Sequence, residues 1–148
     1  MDFPIRDLPT LVLIFVGIAV IVNLFSLSYS RSQYREYKNL PPGYIIGIIW
    51  IVLIGCMAYA QSLVLSLSKK KWIEWLIPSL FLYCVLYPFY TNVFRNEWIS
   101  QIANVASVLL SLFIAILLYS ISIPVAGGLI GLTTIWSAYA TYATWKTL

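Results

Sequence analysis

Five long stretches of this 148-residue chain carry no charge near their middles, and few environments let one short chain fold with that many of them. They run over residues 8–29, 44–67, 72–94, 98–119 and 125–145. A helix rising 1.5 Å per residue needs about 20 residues to cross a hydrocarbon layer of about 30 Å, and each stretch is long enough. Membrane β-strands need only half that length, so a barrel is disfavoured. The expected fold is therefore all-α: an integral membrane bundle of five transmembrane helices, with residues 1–148 forming a single domain. Composition agrees, because charged residues make up 9% of the chain against about 25% in a soluble domain, and 61% is hydrophobic.

The connections between these stretches are short. Pro9 can sit in the first turn of the first helix, where its missing amide proton has no helical partner. That first run is longer than a usual signal core, lacks a clear small-residue cleavage site and is followed by further spans, so it reads as a retained helix. The longest polar segment, residues 30–43, holds Arg31, Arg35, Glu36, Lys38 and the pair Pro41 and Pro42. It is the best candidate for a lid over a cavity between helices. The proline pair constrains the direction in which the chain enters the second helix.

Charge excludes several functions. The formal net charge is +4, but the basic residues stand in small flanking groups and not on one stripe, so no nucleic-acid partner is expected. Lys69, Lys70 and Lys71, beside Trp72 and Trp75, form the mixture that anchors a helix end among lipid headgroups. With an odd number of spans, one side has Arg6 and Lys69 to Lys71, and the other has Arg31, Arg35, Lys38, Arg95 and Lys146. The excess weakly predicts a cytosolic C-terminus.

There is no histidine, which removes the commonest metal ligand and neutral-pH base, and no metal site is expected. Cys56 and Cys84 fall inside predicted spans and read as small apolar core residues. The five acids, Asp2, Asp7, Glu36, Glu74 and Glu97, all lie in connections or near an interface. No mid-span carboxylate offers a proton relay or a hydrolytic centre.

The remaining candidates are aromatic. Tyr83, Tyr87 and Tyr90 recur at helical spacing and share a face, and a phenol in lipid needs a hydrogen-bond partner, so this face should point inward. Trp50 in the second span and Trp136 with Tyr139 in the fifth could face it. Together they could form a flat, mostly apolar cavity suited to a planar polycyclic ligand. Ordinary helix packing explains the same spacing. Small residues, including the pair Gly127 and Gly131 of a GxxxG pattern, allow close helix contacts inside the bundle or with a second protomer.

These features are arranged in segments that resemble the tryptophan-rich sensory protein family, also called the translocator protein or peripheral-type benzodiazepine receptor family. The segment PPGYIIGIIWIVLIGCMAYA, residues 41–60, carries the family pattern at Pro41, Pro42, Gly47, Trp50, Leu53, Met57 and Ala60, with Tyr44 replacing the usual tryptophan. In YPFYTNVF, residues 87–94, Tyr87 takes the place of an asparagine, Tyr90 that of a tryptophan and Thr91 that of a serine. WSAYAT, residues 136–141, resembles the late pattern at Trp136, Tyr139 and Ala140. Leu132, Thr133 and Thr144 depart from it, which weakens the expectation of sterol or drug-like ligand recognition.

The resemblance implies a five-helix membrane receptor or sensory protein, commonly dimeric, that binds porphyrins or related planar hydrophobic ligands. Pro42, Tyr44, Trp50, Tyr83, Tyr87, Tyr90, Trp136 and Tyr139 are the implied ligand contacts, with no required cofactor. Two alternatives stand beside binding. One is light-dependent porphyrin degradation, in which Trp50 and Trp136 would be the catalytic indoles and the porphyrin the substrate. The other is transport of a porphyrin or sterol.

Overall fold

The computed structural model describes residues 3–30, 39–87 and 97–145. Among them, α1 spans Leu8–Ser30, α2 Gly43–Leu67, α3 Leu76–Val85, α4 Glu97–Ser120 and α5 Pro124–Trp145, with a 3-10 turn at Lys71–Trp75 preceding α3 and no strand. Four of these helices match the predicted spans closely. α5 runs straight through Gly127 and Gly128, with Pro124 in its first position, where a missing amide costs no hydrogen bond.

The third predicted span is divided, and Pro78 explains why. A continuous helix would direct the amide of residue 78 to the carbonyl of Glu74, but proline has no amide proton and its ring crowds that carbonyl. The chain accordingly enters through the 3-10 turn and becomes α-helical from Leu76, which places Pro78 in the tolerated first turn. The Glu74 carbonyl released in this way accepts a hydrogen bond from Gln61 Nε2 on α2 at 2.7 Å. Residues 88–94 of this span lie outside the described residues.

Contacts between elements give the order α1, α2, α5, α4, α3 around the bundle, closing from α3 back to α1. The α4–α5 pair is the most extensive. Gly127 permits it: a Cβ there would stand 2.8 Å from the Ala115 carbonyl oxygen and 3.3 Å from the Tyr119 amide nitrogen. Gly131, the other half of the GxxxG pair, would place a Cβ in open space. Of the two glycines, Gly127 makes the close approach, and it does so within the chain.

The distribution of polarity identifies the surrounding medium. Gln61, Glu74, Gln101, Asn104, Ser107, Ser111, Thr133, Ser137 and Thr144 are buried, whereas Leu13, Ile21, Ile51, Leu82, Ile102, Leu109, Phe113, Ile116 and Ile135 are exposed. Soluble proteins rarely leave so much large apolar surface in water. In lipid the same arrangement is favourable, because the outside needs no polar atoms and the inside needs hydrogen bonds. α2 and α4 carry windows that are long and apolar enough to cross a bilayer. α5 is less apolar because Thr133, Ser137 and Thr144 are turned into the bundle.

Candidate functional site

Helix direction places Asn23 of α1, Trp50 of α2, Tyr87 after α3, the start of α4 and the end of α5 in the same half of the molecule, toward the α1–α2 connection. Trp50 is partly buried and packs on the core. With Asn23, Ile54, Cys84, Val85 and Tyr87 it borders a cavity of about 50 Å³. That volume holds a water or two and is far below the roughly 300–1,000 Å³ of ordinary ligand pockets.

Trp136 lies on the neighbouring helix α5, partly exposed, and its ring meets that of Tyr139 at 5.7 Å and 41°. The Tyr139 hydroxyl donates to the carbonyl oxygen of Asn39 at 2.7 Å, tying α5 to the end of the α1–α2 connection. Pro42 caps the entry to α2, its carbonyl accepting from the amides of Ile45 and Ile46 at 2.9 and 3.2 Å. Tyr44 beside it is 71% exposed.

The tyrosine face divides in two. Tyr83 donates its hydroxyl to the carbonyl oxygen of Ala103 on α4 at 2.7 Å, so its phenol joins two helices. Tyr87 borders the cavity with Trp50. Tyr90 lies outside the described residues, as does most of the segment expected to act as a lid. Trp136, Tyr139 and Tyr83 do not line the Trp50 cavity. The structure therefore brings Trp50 and Tyr87 to one cavity, and Trp136 and Tyr139 to each other beside the end of the α1–α2 connection.

Polar residues outside the implied ligand contacts, several of them among the small residues that allow close helix contact, pair between α4 and α5. Gln101 Nε2 donates to Thr144 Oγ1 at 2.7 Å, the hydroxyls of Ser107 and Ser137 lie 3.1 Å apart, and Thr134 donates to Ser111 Oγ at 2.9 Å. These form a seam between α4 and α5. Its signal was present in sequence as a polar residue every three or four positions, at 101, 104, 107 and 111, which places all four on one helical face.

A second polar cluster closes the opposite end of the bundle. Glu74, read from sequence as an interfacial acid, is 5% exposed. Its carboxylate accepts the Phe3 amide at 3.1 Å and pairs with Arg6 at 3.4 Å, while the Phe3 ring meets Trp75 edge-on at 5.1 Å. Arg6 also donates to the Leu65 carbonyl in the last turn of α2, at 3.4 Å. The segment before α1 is thereby fastened to both α2 and the 3-10 turn.

Cys56 and Cys84 are free, and no group of three or more metal-ligating side chains is found among the described residues. No curated protein sequence matches the chain. The model of the TspO/MBR family, by contrast, matches residues 10–148, from the first turn of α1 to the last residue. A match of that extent, on an all-helical bundle with apolar exterior and polar seams, shows that the chain is an integral membrane protein belonging to the TspO/MBR family.

Proposed function

We propose that this protein is a membrane receptor or sensory protein for porphyrins or related planar hydrophobic molecules, bound at the end of the bundle nearest the α1–α2 connection. Membership of the TspO/MBR family supports a receptor or transporter type of role in general. The observation that carries the finer reading is the placement of Trp50 and Trp136 on adjacent helices, α2 and α5, in that half of the molecule. Indoles there offer faces on which an aromatic ring system can stack, and Tyr87 supplies a polar tip within the same layer.

The cavity of about 50 Å³ is too small for such a ring system, so binding in this reading requires the aromatic side chains to rearrange as the ligand enters. The hydrogen bond from Tyr139 to Asn39 is the contact that would yield, since it ties α5, the helix that carries Trp136, to the residue four positions before α2. In the same reading the C-terminus faces the cytosol, and the protein acts as a dimer.

Titrating the purified protein with a porphyrin while following tryptophan emission tests the site. Trp50→Phe and Trp136→Phe should each weaken saturable binding by about three- to tenfold, the loss of one stacking partner. Unchanged affinity and unchanged quenching in both variants would remove the two indoles from the site.

A further inference from the structure

From Leu11 to Phe25 the first helix carries one polar side chain, Asn23. A carboxamide in hydrocarbon is costly unless its donors and its acceptor are met. The helix itself meets part of that demand: Asn23 Nδ2 donates to the Ala19 carbonyl oxygen, one turn back, at 2.7 Å. Reversing the amide would set two acceptors against each other, so this bond decides which end of the side chain is left over. That end is Oδ1, which accepts no hydrogen bond among the described residues.

Asn23 is exposed, yet it borders the cavity of about 50 Å³ that Trp50, Ile54, Cys84, Val85 and Tyr87 complete where α1, α2 and α3 meet. It therefore stands at the mouth of that cavity, with the half-buried Trp50 indole beside it. A polycyclic ring cannot enter so small a space. A hydroxyl can, being close in size to a water, which takes up about 30 Å³. A guest stacked on the indole would thus have one edge next to a polar recess with an acceptor at its entrance.

We propose that Asn23 is a specificity-determining contact of the ring-binding layer, and that the layer favours planar guests bearing an uncharged hydroxyl at the edge, which donates to Asn23 Oδ1. This inference rests on the ring-binding reading above and names the guest's polar group. A guest whose hydroxyls are methylated keeps its ring contacts and has no proton to give.

The test uses two uncharged probes with the same ring: a porphyrin dimethyl ester carrying 1-hydroxyethyl groups, and the same ester with those hydroxyls converted to methyl ethers. Each is titrated into the purified full chain in one detergent while tryptophan emission is followed. The natural protein should bind the hydroxyl probe about three- to tenfold more tightly than the ether, the worth of one hydrogen bond. Asn23→Leu, close to the same volume, should abolish that preference by weakening the hydroxyl probe alone, and its unchanged affinity for the ether shows that the variant is folded. Trp50→Phe should weaken both probes and leave the preference in place. A preference absent from the natural protein, or one that survives in Asn23→Leu, overturns the hydroxyl contact while leaving ring binding intact. Equal loss of both probes in Asn23→Leu makes the residue a packing element and overturns the proposal. Failure of the natural protein to bind either probe saturably overturns the ring-binding reading itself, and this inference with it.

Discussion

Single side chains in this protein compensate for groups that the backbone leaves unmet. Asp7 does so at the start of α1, where its carboxylate accepts the Thr10 amide at 2.9 Å and also the Thr10 hydroxyl. Those bonds, the hydroxyl first and the amide second, hold the Asp7 carboxyl below its ordinary value of 3.8. A depressed value means that the folded state favours the ionised form, so the cap is complete above the unfolded value and is lost as pH falls through the folded one. Asp7→Ala should therefore lower the melting temperature in detergent near pH 7, and the gap from the natural protein should begin to narrow below about pH 4 and go on narrowing as the pH falls further. A gap that persists in acid would show that charge is not what the cap contributes. Gln61 plays the equivalent part for the carbonyl that Pro78 frees. That pairing was not legible in the sequence, because residues 61 and 74 meet only after α2 and the 3-10 turn have docked.

At the level of the helices, small residues decide which pairs come close. Gly127 and Gly131 look alike in the sequence, four apart in an apolar run, yet they have different surroundings. Gly127→Ala should destabilise the α4–α5 pair by about 1–3 kcal/mol, since its Cβ would press on the Ala115 carbonyl and backbone cannot yield cheaply. Gly131→Ala should be neutral or slightly stabilising, as helix propensity alone predicts. Equal effects of the two, read as shifts in unfolding midpoint, would contradict the packing. The turn joining these helices holds Ser122 at a φ of 69°, a left-handed conformation in which a side chain is strained. Ser122→Gly should raise stability by about 1 kcal/mol, and a loss on thermal unfolding would count against it.

For the molecule as a whole, two polar assemblies hold an otherwise greasy bundle in one arrangement: the α4–α5 seam and the Glu74 clasp. Hydrocarbon gives helices no hydrophobic reason to choose each other, so packing and interhelical hydrogen bonds make the choice. Glu74→Ala should free the segment before α1 from the bundle and cost about 1–3 kcal/mol, mostly from the buried bond to the Phe3 amide. The Arg6 partner is about half exposed, so screening reduces its share. Faster proteolysis within residues 3–7 would be the direct readout, and unchanged cleavage would show the clasp to be incidental.

What could be settled along the chain was local. Length and apolarity of α1, α2, α4 and α5 follow from runs of residues that lipid tolerates, and Trp50 and Trp136 are visible in the segments that resemble the family. Ring order, the inward turn of Ser107 and Ser137, the burial of Glu74 and the separation of Trp50 from the Trp136–Tyr139 pair belong to the folded molecule. Hydropathy is a property of each residue and its medium, readable one position at a time. A hydrogen bond between helices exists only when two distant residues share a depth and a face, and that condition is met in three dimensions.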